Sequence, residues 1–416
     1  MIFKNNNNFD LSLKKNIDFI LRLFFLMVII IFFLKSVNVS LFWFDYFKAS
    51  YNGIINEKIF WDFEVYKCAA SKLVNNANPY VLLTDCMPSK KPFIHNYPIL
   101  STFIFIPFAS ISFFWSKFIW GCLLLFSFIA FIFFQKKLFN TKIHYLIYSF
   151  IILFCLDKAV IYTLFTGNIS FILQILLACS FYFLYKNKLN FFFIIIFLIS
   201  CFKFYFLIFA ICPFFLWKFE YKKQILITTI ALAIFYITNY LYDPVLFNNW
   251  IENIFKASVA KNYYDGFGIG SLKYIINFNN FLESNNIIKF NNRELIEILF
   301  TLIYLIILIC IGYYFLNLDQ TTEKNLKIKV AFSILLIAAG IPRLEVYDLI
   351  VFISPIIFLL EKFYNFKKVQ DKYMVILSFL FISVFLLNGD SGITYPFLLI
   401  FTITNLYFYK KNLEIK

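Results

Sequence analysis

The chain has 416 residues, of which 62% are hydrophobic and only 15% are charged. A soluble domain of this size needs more polar surface than that. The net charge of +15 would suggest a nucleic-acid partner in a soluble protein, but the lysines cluster in short segments between apolar runs, as in cytoplasmic loops. The composition therefore argues against a soluble protein and against nucleic-acid binding, and it predicts an all-α polytopic membrane protein.

Apolar segments recur along the chain, and most approach the roughly 20 residues that a helix needs to cross hydrocarbon. Strands of a barrel would alternate over segments of about 10 residues instead, so helices are favoured. The segments lie at 17–37, 97–115, 118–134, 143–165, 168–185, 190–217, 224–241, 294–316, 328–342, 346–361, 373–388 and 393–409. We predict a bundle of about 10–13 transmembrane helices. No linker or internal repeat is visible, so residues 1–416 form a single membrane domain in this prediction.

The distribution of lysines predicts an orientation through the preference of positive charge for the cytoplasm. Lysines near both ends of the chain place both termini inside, which leaves 38–96 and 242–293 as outer loops. This topology requires the proline-containing segment 97–115 to dip without crossing. It also requires 190–217 to form two short legs. Simple alternation of twelve spans is the alternative, and it keeps both long loops on the same outer face.

A polar segment in the first outer loop is the most informative feature of the sequence. It carries Asp62, Glu64 and Tyr66 close to the end of a membrane span, where a membrane enzyme would hold a catalytic base. Asp62 and Tyr66 are four residues apart and share a face of a short amphipathic helix, whereas Glu64 points elsewhere. We therefore expect Glu64 on a solvated face or in support of Asp62. The alternative for Asp62 is an acid that interacts with the helix macrodipole.

A series of motifs begins in this segment with DFEVYKCAASKLVNNANPY (62–80) and runs through NYPIL (96–100), Pro107 and Trp120 to GNISFILQILL (167–177). It continues in ISCFKFYFLIFAICPF (199–214) and IPRLEVYDLIVFISP (341–355), and so covers most of the chain in order. This series resembles glycosyltransferase family 87 of the GT-C superfamily. The sequence departs from the family pattern at Ile99, where a second proline is usual, and at Asn168, where glutamine is common.

The resemblance implies a GT-C-like fold with its active site on the outer face of a bacterial inner or plasma membrane. The donor is then a polyprenyl-phosphate monosaccharide, carrying mannose or another hexose or pentose, and the acceptor is a lipid or a glycan. Asp62 matches the aspartate that serves such enzymes as general base. A glycosyl phosphate already has a good leaving group, so the enzyme has to supply a base that accepts the proton of the acceptor hydroxyl. A single displacement inverts the sugar.

A phosphate donor calls for cations near the outer boundary. Lys203 lies inside an apolar stretch, where a charge usually faces a cavity or a partner; its alternative is snorkelling to the interface. Arg343 can clamp a phosphate with its planar fork; its alternative is an ion pair with Glu345 or Asp348. The other substrate-binding candidates are Tyr66, His95, Tyr97, Asn168, Tyr205, Tyr347 and Asp348. His95 is predicted to contact phosphate or acceptor, or to be a plain loop residue.

The adjacent charges Asp157 and Lys158 cannot face each other on a helix, so each needs another partner. The chain has two histidines, neither in a metal-ligand spacing, so no zinc site is predicted. No cofactor is expected beyond the lipid-linked substrate. Cys68 and Cys86 share the first outer loop, and a disulfide between them is one possibility if that loop is extracytoplasmic.

Two other classes of protein stay open at this stage. A lipid or solute transporter or flippase would use intramembrane charges in the same way, although such folds often carry internal repeats. A ligase or polymerase of lipid-linked glycans would also work on the outer face, typically with essential arginine and histidine in a large later loop. The loop 242–293 has only Arg293, at its end, and no histidine.

Overall fold

The described part of the chain folds into helices and contains no strand. The computed structural model describes residues 59–88, 93–141, 143–156, 159–216, 221–259, 271–285, 293–316, 323–341, 344–363 and 391–414. The predicted spans at 17–37 and 373–388 lie outside these residues, as do Asp157 and Lys158.

Most helices lie on predicted apolar segments, whereas the first, tenth and eleventh lie in the predicted outer loops 38–96 and 242–293. They are α1 (Trp61–Val74), α2 (Ile99–Thr102), α3 (Ile106–Ala109), α4 (Phe113–Phe139), α5 (Tyr145–Phe154), α6 (Ala159–Thr166), α7 (Ser170–Tyr185), α8 (Leu189–Ser200), α9 (Lys222–Tyr242), α10 (Pro244–Val259), α11 (Ser271–Ser284), α12 (Arg293–Leu316), α13 (Glu323–Ala339), α14 (Ile350–Phe363) and α15 (Ser391–Glu414). Three 3-10 helices cover Phe103–Phe105, Phe204–Phe215 and Val346–Leu349.

Three helices of the described residues are long and apolar enough to cross a membrane, namely α4, α9 and the Ile298–Leu316 part of α12. The pair α5 and α6 makes a fourth candidate if it counts as one span, but its two helices are bent by 77°. The predicted apolar segment 143–165 therefore contains two helices, and whether they make one span stays a prediction. Leu156, at the break, adopts a left-handed conformation with φ 45° that a continuous helix cannot contain.

Several predicted spans are shorter helices. The segment 97–115 is divided into α2, a 3-10 turn and α3, and 11 residues of helix reach only about 16 Å. Residues 190–217 form two short legs, α8 and the 3-10 helix Phe204–Phe215, with Lys203 at the break between them. The prediction of two legs is confirmed. The total of about 10–13 spans stays a prediction.

The main hydrophobic core extends over most of the described helices. Its centre is α13, in which all residues from Val330 to Ala339 are buried. This helix packs against α12, α14, α15 and the 3-10 helix Phe204–Phe215. A helix that is apolar on all sides is stable only when neighbours cover it completely.

Helix α1 is enclosed rather than exposed. Phe63 to Ala70 are all buried, because α1 packs against α3 and α6 and against the residues before α4. The Nζ of Lys67 donates to the carbonyl oxygens of Phe108 and Ile111 and to the hydroxyl of Ser116. Burial lowers the pKa of this lysine. The predicted short amphipathic helix is thus buried over its middle part and half-buried or exposed at its two ends.

The chain leaves α1 through a tight turn and returns to it through a disulfide. Asn76 adopts φ 53°, and the Ala77 N–H donates to the Lys72 carbonyl at 2.8 Å, so the helix ends before Pro79. Cys68 and Cys86 form a disulfide with a Cα–Cα distance of 5.7 Å, within the usual range. The bond ties the middle of α1 to the loop that follows it.

Helix α10 lies over this loop. The Trp250 indole N–H donates to the Asn96 carbonyl at 3.1 Å, and the Asn253 amide donates to the Tyr80 carbonyl at 2.7 Å. The Tyr80 hydroxyl in turn donates to the Tyr97 carbonyl at 2.9 Å. The two predicted outer loops, 38–96 and 242–293, are therefore in direct contact.

The disulfide generates the first prediction. Replacing both Cys68 and Cys86 with serine frees a loop of 18 residues and should destabilise the protein by about 2–4 kcal/mol. Thermal unfolding of the purified full chain in lipid nanodiscs measures this as a lower Tm. Cys122→Ser, at an exposed free cysteine, is the matched control and should leave Tm unchanged. An unchanged Tm in the double serine variant would contradict the prediction.

Candidate active site

The turn between α6 and α7, residues 167–170, contacts the site residues of several other segments. Gly167 has φ +71°, and a Cβ there would lie 2.9 Å from the Cβ of Phe60. The Phe60 N–H donates to the Phe165 carbonyl at 3.1 Å, and the Trp120 indole N–H donates to the Gly167 carbonyl at 2.8 Å. Only glycine combines this conformation with so close an approach. The start of α1 is thereby brought against the turn.

Asn168, the next residue of the turn, holds the predicted base. Its Nδ2 donates to Asp62 Oδ2 at 2.8 Å, while its Oδ1 accepts the Ser170 backbone N–H at 2.8 Å. The second contact fixes which way the amide points, because only the oxygen can accept from that N–H. The Ile169 N–H approaches the Tyr66 hydroxyl at 3.4 Å. Asp62 and Tyr66, which share a helix face, therefore both meet this turn.

Lys203 lies on the other side of the same turn. Its Nζ donates to the Ser170 hydroxyl at 2.6 Å and lies 3.5 Å from Asp348 Oδ1. It also lies 4.1 Å from the centre of the Tyr347 ring, a distance at which a cation is attracted to the ring face. Its side chain is 9% exposed. Lys203 thus faces a buried partner, and the alternative of snorkelling is not what the structure shows.

Asp348 is held by several donors at once. Its Oδ1 accepts the Tyr205 hydroxyl at 2.9 Å, and its Oδ2 accepts the Glu345 backbone N–H at 3.1 Å. Asp348 and Glu345 form a capping box at the start of the 3-10 helix Val346–Leu349. Arg343, the other predicted phosphate ligand, lies outside the described residues.

The aromatic side of the site contains Tyr66, Tyr97 and His95. The rings of Tyr66 and Tyr97 are 5.5 Å apart, and His95 packs 5.6 Å from Tyr97. Burial, with smaller effects from Tyr97 and Asp62, holds the pKa of Tyr66 well above its usual range. This phenol therefore stays protonated at neutral pH.

His95 differs from the other candidates. It is fully buried, its Nε2 lies 2.6 Å from the Thr102 hydroxyl, and its Nδ1 has no partner among the residues described. Burial lowers the pKa of His95 to about 3. A neutral imidazole cannot attract a phosphate by charge. The His95 ring packs against Tyr66 and Tyr97, and its contact with phosphate or acceptor stays a prediction.

Glu64 is buried, which contradicts one of its two predicted placements. Its side chain is 0% exposed and forms an ion pair with Lys117 of α4, whose side chain is 18% exposed. The expectation of a solvated face for Glu64 is wrong because α4 covers that face of α1, and the alternative that Glu64 supports Asp62 stays a prediction. Lys117 was missed as well. It is a lysine at the start of a long apolar run, and the reasoning applied to Lys203 would have found it.

The described site residues form one connected group built from five separate stretches of the chain. It comprises Asp62, Tyr66, Tyr97, Asn168, Lys203, Tyr205, Tyr347 and Asp348, with Ser170 as an added member and His95 behind it. Within the described ranges no three His, Cys, Asp or Glu side chains are placed to hold a metal ion. Comparison with protein-family models, with curated proteins and with solved structures gives no match for this chain.

The buried ion pair generates the second prediction. Lys117→Met leaves the Glu64 carboxylate buried without its cation and should cost about 3–5 kcal/mol. Glu64→Gln should cost less, since Lys117 retains access to solvent. The double variant should be more stable than Lys117→Met alone. Thermal unfolding of the full chain provides all four corners of this double-mutant cycle.

The exposed pair Lys72–Asp85, 2.6 Å apart, supplies the control for that cycle. Lys72→Met should change Tm little, because surface ion pairs contribute little to stability. If Lys117→Met is as mild as Lys72→Met, Glu64 does not depend on Lys117.

Proposed function

We propose that this protein is a multi-pass membrane glycosyltransferase with a GT-C-like fold. It transfers a monosaccharide from a polyprenyl-phosphate donor to a lipid or glycan acceptor on the extracytoplasmic face, with inversion at the sugar. The contact between Asp62 and Asn168, 2.8 Å long and adjacent to the buried cluster of Lys203, Ser170 and Asp348, is the observation that carries the proposal. Polar groups are expensive in an apolar helical protein, so such a concentration favours a functional site.

In the proposed reaction, Asp62 accepts the proton of an acceptor hydroxyl as that oxygen attacks the anomeric carbon. The bond between the anomeric carbon and the phosphate oxygen breaks at the same time, and the polyprenyl phosphate leaves with its electron pair. One displacement inverts the configuration at the sugar. Asn168 supports this role because it orients the carboxylate through one oxygen.

In the proposal, Lys203 receives the donor phosphate. A charge-assisted contact from a buried ammonium group to a phosphate oxygen is stronger than a neutral hydrogen bond. Ser170 and Asp348 hold the Nζ at the turn that also carries Asn168. The cation and the predicted base thus contact neighbouring residues of one turn, as a reaction between a phosphate-linked carbon and an acceptor hydroxyl requires.

The extracytoplasmic placement has its own support. Disulfides persist in oxidising compartments and are rare in the cytosol. The bond between Cys68 and Cys86 lies in the helix of Asp62 and the loop after it. This favours the outer face of a bacterial inner or plasma membrane for the site.

The proposal predicts the behaviour of Asp62→Asn. The amide keeps the size of the side chain but cannot accept the proton, so kcat at saturating donor should fall at least about a hundredfold. Purified full chain in nanodiscs is incubated with labelled polyprenyl-phosphate sugars, one sugar at a time, and a membrane-lipid extract as acceptor. Asp85→Asn, at an exposed acid of the same predicted loop, should retain activity.

Two outcomes would contradict this proposal. The absence of transfer by the unaltered protein from every sugar donor would remove the transferase assignment. Near-normal turnover by a folded Asp62→Asn protein would remove the carboxylate from the chemistry. Either result would favour a transporter, for which a buried ion pair such as Lys203–Asp348 is also typical.

Lys203→Ala tests the phosphate contact separately. Losing a charge-assisted contact worth about 1.5–3 kcal/mol should raise the KM for the donor roughly 10- to 150-fold. Transfer rates measured over a range of donor concentrations provide this value. Lys186→Ala, at an exposed lysine at the end of α7, is the control and should leave donor KM unchanged. An unchanged donor KM in folded Lys203→Ala would assign Lys203 to structure.

A further inference from the structure

Two aromatic side chains stand next to Asp62 and have no role in the proposed chemistry. Trp61 directly precedes Asp62 in α1, and its ring contacts the rings of Tyr162 and Phe165, both in α6, at 6.5 Å and 5.6 Å between centroids. Both contacts are edge-to-face. Phe165 is buried, whereas Trp61 is half-buried and Tyr162 is 42% exposed. The pair Trp61–Tyr162 is therefore an accessible aromatic surface at the edge of the site.

Tyr162 has two acidic neighbours. The carboxylates of Asp62 and Glu345 both lie within electrostatic range of its hydroxyl. Glu345 is half-buried and directly precedes the 3-10 helix Val346–Leu349, against which α6 packs. The aromatic surface therefore lies between α1, which carries Asp62, and the 3-10 helix that Glu345 precedes.

We propose that Trp61 and Tyr162 form a binding surface for a sugar ring whose hydroxyl groups are held by Asp62 and Glu345. The inference rests on the proposed transferase and deepens it, because it assigns a carbohydrate rather than an apolar alcohol to the acceptor position beside the base.

The chemistry of a pyranose matches this arrangement. One face of the ring presents C–H groups that pack on aromatic surfaces, and the ring edge carries hydroxyl donors that carboxylates accept. Tyrosine and tryptophan provide large, rigid contact area together with a polar group. A purely apolar alcohol offers one hydroxyl and can bind only one of the two carboxylates, which already accept the Asn168 amide and, in the capping box, the Asp348 backbone N–H. A sugar gives both acids a hydroxyl to bind.

Saturation-transfer NMR tests the inference without any sugar transfer. The full chain in phosphatidylcholine nanodiscs is mixed with hexyl glycosides of glucose, mannose and galactose, and separately with hexanol. At least one glycoside should receive saturation on its ring protons, and hexanol should receive at least about fivefold less, since such aromatic contacts are worth about 0.5–1.5 kcal/mol. Tyr162→Leu should reduce the ring signal about fivefold, whereas Tyr162→Phe should retain most of it.

The controls separate this surface from the lipid-facing aromatics and from the transferase proposal. Trp115→Leu, at an exposed tryptophan of α4, should leave the ring signal unchanged. Trp61→Leu should reduce the ring signal, as Tyr162→Leu does. Trp61→Phe keeps an aromatic ring and should retain most of the signal. Equal signals for hexanol and glycosides, or an unchanged signal in Tyr162→Leu, would overturn the inference and make the surface lipid-facing. Ring saturation without transfer from any polyprenyl-phosphate sugar would leave this site standing and remove the proposed reaction.

Discussion

Buried charge is the constraint on which the rest of this structure depends. An unpaired ion inside an apolar helical protein costs several kcal/mol, so every buried charged group must be matched by a partner. Helix α1 carries Asp62, Glu64 and Lys67 within two turns, and the three side chains meet the Asn168 amide, Lys117 and backbone carbonyls before α4. Three contacts in three directions fix the rotation of the helix and its position. The direction of Asp62 follows from all of them.

The turn 167–170 converts that fixed helix into a site. Gly167 admits the close approach of Phe60, Asn168 binds Asp62, and Ser170 binds Lys203. Four consecutive residues thus connect an acid from the first described helix with a cation that lies more than thirty residues beyond the turn. Groups held in this way by rigid elements need little reorganisation when a ligand arrives. The disulfide and the contacts of α10 likewise hold the loop after α1 in place.

Hydropathy located the helices well, since α4, α9 and α12 follow their predicted segments closely. The break at Lys203 was also predictable, because the lysine pattern required 190–217 to turn back. Helical spacing, however, tells which residues share a face and not what covers each face. Solvent was therefore one of the two expected surroundings of Glu64, and the partner that buries it comes from a helix more than fifty residues away. At the break in 143–165, Cys155 is extended and Leu156 is left-handed, and an apolar run does not reveal such backbone conformations.

The pairing of Lys203 with Asp348 is compatible with binding an anion because Asp348 has more hydrogen-bond partners than the lysine. Asp348 has other donors, the Tyr205 hydroxyl on one oxygen and the Glu345 N–H on the other. The lysine contacts it at 3.5 Å, which is long for an N–H···O bond, and its short contact is to the neutral Ser170 hydroxyl. When a phosphate enters, the ammonium group can turn towards it while the carboxylate keeps its remaining hydrogen bonds. The acid therefore stabilises the buried lysine at rest without preventing the lysine from binding a ligand.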